Sequence, residues 1–133
     1  MADTVTSQTI QDGKRLAILK FTNESDGTGE SSVKKVDVSA LSANERGEAC
    51  TSVTIQRIHW FCRGMGVDIE FDASTNVLAV TLAPDSSGDE YFDQFTGIPN
   101  NAGSGVTGDI DFTTVGHSSG DAYSIILILV KNY

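Results

Sequence analysis

The chain has 133 residues, enough for one domain that buries its own core without metal or disulfide staples. Its net charge is −9, and ten of the eleven residues with charged side chains after position 63 are carboxylates, which argues against binding a nucleic-acid phosphate backbone. Thirteen glycines against two prolines predict many tight turns.

Alternation of apolar and polar residues with a period of two dominates the chain and predicts strands rather than helices. In the first half, the predicted strands span residues 4–10, 15–21, 33–38 and 52–62. The strand 15–21 is rich in apolar residues on both faces, with Ala17, Leu19 and Phe21 directed to one of them.

The longest predicted strand, 52–62, alternates throughout. One predicted face consists of Val53, Ile55, Arg57, His59 and Phe61. The other predicted face consists of Thr54, Gln56, Ile58, Trp60 and Cys62. The main helical cue of the chain lies before this strand at 39–45, where Ser42 and Glu45 are placed to cap a single turn.

In the second half, the predicted strands span residues 67–71, 76–82, 90–92, 109–113 and 124–130. The short turn 73–75 joins the first two of these as a hairpin. Asp109 and Asp111 alternate with apolar neighbours, and we expect both carboxylates to face water. The strand 124–130 is the most apolar, so we expect it to be central and covered on both faces.

About eight or nine short strands separated by glycine, serine and aspartate predict an all-β domain spanning 1–133, a β-sandwich of jelly-roll type. The polar, threonine-rich segment 1–11 is predicted to be an extended N-terminal arm. Such an arm either adds a strand to a neighbour's sheet edge or lies on its own domain, and the sequence leaves both alternatives open.

Two acidic clusters are candidates for cation sites. Residues 26–30 alternate oxygen-bearing side chains as the start of a calcium loop does, but the next ligand position and the flanking helices of an EF-hand are missing. The second cluster consists of Asp85, Asp89, Glu90 and Asp93. We predict that both are solvated turns, and we expect no metal and no cofactor.

Catalytic arrangements are weakly supported. Asp109 and Asp111 lie side by side on one strand, whereas glycoside hydrolysis needs two carboxylates across a cleft. His117 and Asp121 have serines around them, but we expect no nucleophile elbow of the Gly-x-Ser-x-Gly type. His59 is expected in a core or an interface. We therefore expect a protein that is not an enzyme and has no catalytic residues.

The two cysteines, Cys50 and Cys62, are predicted to be buried free thiols, with one disulfide as the alternative. We expect no secretory signal, because the first ten residues lack a basic segment followed by an apolar one. We also expect no membrane span, because the longest apolar run, 125–130, is far shorter than the roughly 20 residues required.

Several segments of the sequence resemble a known group of proteins. They span residues 2–10, 20–23, 25–31, 35–39, 64–68, 107–110 and 112–117. Through them the whole chain resembles small virion structural proteins of tailed bacteriophages, especially those of marine and other environmental phages. The resemblance brings no catalytic residues with it.

The resemblance implies a virion protein, assembled in the host cytoplasm, that decorates the capsid as a cement subunit and stabilises the shell through intersubunit contacts. Its implied partners are the major capsid protein or head–tail proteins, and further copies in a homo-oligomer, a trimer or larger. The alternatives are a head–tail adaptor or neck protein, a tail component, or a carbohydrate-binding module on the virion surface. The predicted interface residues are Thr4, Val5, Thr6, Tyr91, Phe92 and Phe95.

Overall fold

The computed structural model describes residues 3–92 and 97–133. Within these residues the strands are β1 (Thr4–Asp12), β2 (Leu16–Glu24), β3 (Val33–Val36), β4 (Ser52–Arg63), β5 (Gly66–Phe71), β6 (Val77–Leu82), β7 (Ser87–Tyr91), β8 (Ile110–Val115) and β9 (Ala122–Asn132). One 3₁₀ turn, Val38–Ala40, follows β3. No helix in the described part of the chain is long and apolar enough to cross a bilayer.

The strands form two antiparallel sheets that pack face to face. The five-stranded sheet has the order β1-β2-β9-β4-β7, and the four-stranded sheet has the order β3-β8-β5-β6. Phe21 of the first sheet meets Phe112 of the second edge to face, with ring centroids 5.4 Å apart. The predicted all-β sandwich is confirmed, and the order of strands mixes near and distant segments of the chain as in a jelly roll.

The core lies between the two inner faces. Its fully buried large side chains include Phe21, Phe71, Phe112, Ile55, Ile58, Met65, Ile69, Ile110, Ile125, Leu127 and Leu129. Of the two apolar faces of β2, the one with Ala17, Leu19 and Phe21 is the inward face, since all three are buried. Cys50 and Cys62 are free and buried, and burial raises the pKa of Cys62 to about 11, so this thiol stays protonated at neutral pH.

Strand β9 is central in its sheet, as predicted, since β2 and β4 flank it. The prediction that it is covered on both faces is wrong. Burial alternates strictly along the strand, with Ile125 and Leu127 fully buried and Ile126 and Ile128 only half-buried. The apolar character of this strand therefore supplies both the core and an outward face.

The prediction that β4 alternates throughout is also wrong, because a β-bulge interrupts the alternation. Ile55 pairs with Leu129 and Arg57 pairs with the next residue of β9, Ile128, so Gln56 is the extra residue. On the other side, Ile55 exchanges two backbone hydrogen bonds with Ile98. After the bulge the inward positions shift by one residue, and Arg57, His59 and Phe61 all turn outward.

The predicted helical turn begins earlier than expected and uses another cap. Asp37 caps the 3₁₀ turn by accepting a hydrogen bond from the backbone N–H of Ser39 at 3.0 Å. Ser42, which was predicted to cap, instead donates its hydroxyl to Asp12 at 2.9 Å. The prediction of a cap at Ser42 and Glu45 is therefore wrong.

The N-terminal segment lies on its own domain. It forms β1, antiparallel to β2, with partners running from Thr4↔Glu24 to Asp12↔Ala17. This is one of the two arrangements that the sequence left open.

Phe112 connects the two layers, because its ring contacts both Phe21 and Tyr123 of the other sheet. We expect Phe112→Ala to lower the free energy of unfolding by about 3–5 kcal/mol through lost burial and the cavity left behind. Phe61→Ala is the control, since this ring is 57% exposed, and we expect a change of about 0.5 kcal/mol or less. Urea unfolding of both variants makes the comparison; equal losses would contradict the assignment of the core.

Candidate functional site

The outward face of the five-stranded sheet is the feature most suited to binding. Paired residues of antiparallel strands project to the same side, so the register assigns its members. We call this surface the outer face and define it by Leu16, Ile18, Lys20, Arg57, His59, Phe61, Asp89, Tyr91, Ile126, Ile128 and Val130. Its centre is a row of half-buried aliphatic side chains from β2 and β9.

Aromatic and charged side chains from β4 and β7 border this aliphatic centre. The Arg57 guanidinium lies over the Tyr91 ring, 3.8 Å from its centroid, and Tyr91 is 45% exposed. His59 Nδ1 lies 3.2 Å from Asp89 Oδ1, a pair that is ionic when His59 is protonated. Exposed cation–π contacts of this type contribute about 0.5–1 kcal/mol, which is enough to favour one orientation of the rings and guanidinium.

The opposite outward face, on the four-stranded sheet, has a different character. Asp68 and Glu70 project from β5 on its outward side and pair across the strands with Thr113 and Asp111. Glu70 Oε1 accepts a hydrogen bond from Thr113 Oγ1 at 3.0 Å. The protein therefore presents an acidic, hydroxyl-rich face on one side and an apolar face with Lys20 and Arg57 on the other.

The loop 25–29, which joins β2 and β3, binds a carboxylate of the same chain. Asp3 Oδ1 accepts hydrogen bonds from the backbone N–H groups of Asp26 and Gly29, both at 3.2 Å, and Asp3 Oδ2 accepts one from Asn23 at 3.1 Å. Burial raises the pKa of Asp3, but the hydrogen bonds from Asn23, Gly29 and Asp26 outweigh it and hold that pKa below its usual value. The loop therefore directs backbone N–H donors at an anion, whereas a cation-binding loop directs oxygen atoms at its ligand.

Gly29 also lets the loop approach the β8–β9 turn. It has φ +75°, and a Cβ on it would lie 2.3 Å from the His117 imidazole. His117 Nδ1 lies 3.1 Å from the Thr114 hydroxyl. The imidazole therefore packs against this loop.

The turn itself has the spacing Gly-x-Ser-x-Gly over residues 116–120, a pattern that the sequence interpretation overlooked. A nucleophile elbow requires a strand-to-helix turn, whereas this segment joins two strands. Ser118 Oγ donates directly to Asp121 Oδ2 at 3.1 Å, and His117 contacts Thr114 instead of standing between them. The residues do not form a Ser-His-Asp relay.

A buried ionic group lies beside this turn. Glu30 Oε1 accepts hydrogen bonds from Tyr123 Oη at 2.6 Å and from Asn23 at 2.9 Å, and Glu30 Oε2 pairs with Lys35. The Glu30 and Lys35 side chains are each 5% exposed. Burial and the neighbouring Glu30 carboxylate raise the pKa of Tyr123, so its hydroxyl acts as a hydrogen-bond donor.

The prediction that Asp109 and Asp111 face water is wrong, because they are 4% and 3% exposed. Asp109 accepts a hydrogen bond from the backbone of Val38 at 2.9 Å and pairs with Lys34 at 2.8 Å, which attaches β3 to β8. Asp111 Oδ2 accepts from Asn76 at 3.0 Å. Burial, reinforced by the adjacent Asp72 carboxyl, raises the pKa of Asp111 to about 6.

The predicted interface residues occupy two separate places. Thr4, Val5 and Thr6 are exposed on β1, and Tyr91 is exposed on the outer face. Phe92 is half-buried and packs against the core, while Phe95 and the acidic residue Asp93 lie outside the described residues. Their role as an interface stays a prediction.

Within the described part of the chain, no group of three or more histidine, cysteine, aspartate or glutamate side chains is arranged to hold a metal ion. Two surface grooves of about 650 and 410 Å³ are lined by residues other than His117, Asp109 and Asp111. The deep cleft that a small hydrolase would show around these side chains is not formed by either groove.

Comparisons with known proteins give structural neighbours only. No family model matches the chain, and no curated protein matches it. A cupin superfamily protein from Desulfitobacterium hafniense DCB-2 is 12% identical, with a TM-score of 0.40 over 99% of this chain and 82% of that chain. A mutant of a family 29 carbohydrate-binding module is 12% identical, with a TM-score of 0.43 over 97% of this chain and 92% of that chain.

A second structure of a family 29 carbohydrate-binding module is 11% identical and also has a TM-score of 0.43, over 96% of this chain and 89% of that chain. These identities and TM-scores are too low to transfer a ligand or an activity to this protein.

The buried Asp111 makes a pH-dependent contribution to stability. Its folded pKa of about 6 exceeds the ordinary 3.8, so its favourable contribution is present below about pH 4 and is lost as the pH rises through about 6. We expect Asp111→Asn to raise the free energy of unfolding at about pH 7.5 by about 1–2 kcal/mol and to have little effect near pH 4. Urea unfolding at both pH values tests this.

Asp68→Asn is the matched control, because Asp68 lies on the same outward side of the sheet and is half-buried. We expect its effect to be small at both pH values. An Asp111→Asn variant that is destabilised at about pH 7.5 would contradict the prediction.

Proposed function

We propose that this protein is a structural subunit of a tailed-bacteriophage virion that decorates the capsid as a cement protein. It binds the shell through the outer face and stabilises the particle by bridging neighbouring capsid subunits. The resemblance of the sequence to virion proteins supports a place in the virion. The difference between the two faces supports one orientation of the subunit on the capsid. The apolar outer face meets the capsid, and the acidic face is directed to solvent.

The observation that carries this proposal is the aliphatic centre of the outer face. Ile18, Ile126 and Ile128 are half-buried side chains on a sheet surface that no strand or helix among residues 3–92 and 97–133 covers, and Phe61 beside them is 57% exposed. Contiguous exposed apolar surface on a globular domain commonly marks a contact with another protein. Burying one large apolar side chain contributes about 1.5–3 kcal/mol, so a few such residues can drive docking.

Because each subunit contacts more than one capsid subunit, each single contact can be weak and the subunit still binds. A subunit that touches two capsid subunits gains from effective concentration, because the second contact becomes intramolecular. A net charge of −9 keeps free copies soluble before assembly. The same face would also serve a head–tail adaptor or a tail component, and these remain the alternative positions in the particle.

Binding to particles tests the proposal. Capsids from a phage deleted for this gene are mixed with purified protein, and bound copies are counted after sedimentation. We expect Phe61→Asp to weaken binding at least about tenfold, since a carboxylate would be desolvated in the contact. Val115→Asp is the matched control, because Val115 is 48% exposed on the other sheet, and we expect it to bind as the unchanged protein does.

The outcomes are distinguishable. A reconstruction of the decorated particle with density over the whole lattice supports a cement protein, and density at one vertex selects a neck or tail component instead. Undiminished binding by Phe61→Asp, in a variant shown to be folded, would remove the outer face from the proposal.

A carbohydrate-binding module on the virion surface is the second candidate function. The observation that favours it is the exposed Tyr91 ring beside Arg57 and His59, an aromatic surface with polar groups at its margin. Sugars stack on such rings while charged and polar neighbours bond their hydroxyls. This function uses the β4–β7 border of the outer face rather than its aliphatic centre.

We expect a carbohydrate-binding module to give saturable signals on a glycan array that Tyr91→Ala abolishes. Tyr133→Ala is the control, since Tyr133 is another exposed tyrosine, 39% exposed, that follows the end of β9 rather than lying on β4 or β7. Equal binding by both variants, or no saturable binding at all, would count against this candidate function.

A further inference from the structure

The free edge of β1 is a separate surface that the outer face does not include. Strand β1 lies at the end of the five-stranded sheet and pairs with β2 on one side only. Its residues Thr4 to Gln11 are all exposed. An edge strand of this kind presents backbone N–H and C=O groups that can pair with another strand.

Two carboxylates fix this strand at its ends. Asp3, just before β1, is held by the loop 25–29 through the hydrogen bonds described above. Asp12, at the end of β1, accepts two hydrogen bonds from the Ser42 backbone N–H, at 3.0 and 3.1 Å, and pairs with the buried Lys131 ammonium. Anchored at both ends, β1 is held against β2 as a preformed edge, which reduces the entropy lost when a partner strand binds.

The edge lacks the usual protection against pairing. Natural edge strands are commonly blocked by charges, proline or bulges. From Thr4 to Thr9 the segment Thr-Val-Thr-Ser-Gln-Thr has neither charge nor proline, and its register with β2 shifts only after Thr9. The edge strands β7 and β3 differ, since β7 contains Asp89 and Glu90 and β3 contains Lys34 and Lys35. The fourth edge strand, β6, is uncharged, but a β-bulge at Ala79 interrupts it.

We infer that β1 pairs antiparallel with β1 of a second copy, which joins two five-stranded sheets into one continuous sheet about a two-fold axis. The distribution of charge favours a second copy of this chain as the binding partner. Two copies that each have a net charge of −9 repel one another, and the uncharged segment from Thr4 to Thr9 lets them meet without apposing carboxylates. A two-fold contact of the same segment is self-complementary and closes at a dimer.

This inference does not rest on the proposed function, because pairing through β1 leaves the outer face uncovered and needs no capsid. The two ideas are therefore tested by different variants. Substitutions at Phe61 address capsid binding, and substitutions at Ser7, in the middle of the edge, address the dimer.

Analytical ultracentrifugation over a range of concentrations provides the test. We expect the unchanged protein to form a reversible dimer. Ser7→Asp and Ser7→Lys should each weaken that dimer about tenfold or more, because two-fold pairing brings like charges close together. An equimolar mixture of the two variants should recover the dimer through an Asp–Lys contact across the axis.

Thr81→Asp is the matched control, since Thr81 is an exposed residue on β6, the uncharged edge strand of the other sheet. We expect it to dimerise normally. A protein that stays monomeric at all concentrations would overturn the inference, as would a dimer lost in Thr81→Asp but kept in Ser7→Asp. Ser7 variants that fail to bind capsids, with a mixture that recovers nothing, would assign the edge to a strand of another virion protein and also overturn it.

Discussion

The pairing of β9 with β2 on one side and β4 on the other is the constraint on which the rest of the molecule depends. This register decides that Ile125, Leu127 and Leu129 enter the core while the alternate residues face outward. A slip of one residue would exchange the two sets, because strand side chains alternate with a period of two. Both sets are apolar, so the slip is costly chiefly because it would displace Tyr123 from Glu30 and Lys131 from Asp12. The outer face follows from the register that remains.

The bulge at Gln56 adapts β4 to this constraint. Without the extra residue, the side of β4 that begins with Val53 and Ile55 would continue inward with Arg57 and His59. The bulge places Ile58 in the core instead and turns the arginine and the imidazole to the surface beside Tyr91. One inserted residue therefore produces both a continuous core and the polar border of the outer face.

Part of the architecture could be predicted from the sequence, because clean alternation in 67–71 leaves one choice of buried face, and Val67, Ile69 and Phe71 are buried. The outer face could not, since the bulge reverses the alternation of β4 and depends on a bridge from Ile55 to the distant Ile98. The signal in the sequence for this outward turn is Arg57, a charged residue on a predicted face that is otherwise largely apolar. The prediction for Asp109 and Asp111 was wrong because their alternation is typical of a surface. The Val38 backbone and Lys34 bind Asp109 in its buried position, and Asn76 donates to one oxygen of Asp111.

Trp60, the one tryptophan of the chain, lies on the inward side of β4, since it pairs with the buried Ile125, and it packs against the core. Its indole lies across Gly88, where an added Cβ would be 2.8 Å from the ring, and its Nε1 donates to Ser86 Oγ at 3.0 Å. The natural fluorescence of the protein therefore originates from the junction of β4 and β7. Its emission wavelength and quenching by iodide give a label-free optical readout of whether the β4–β7 end of the core stays packed or opens to water.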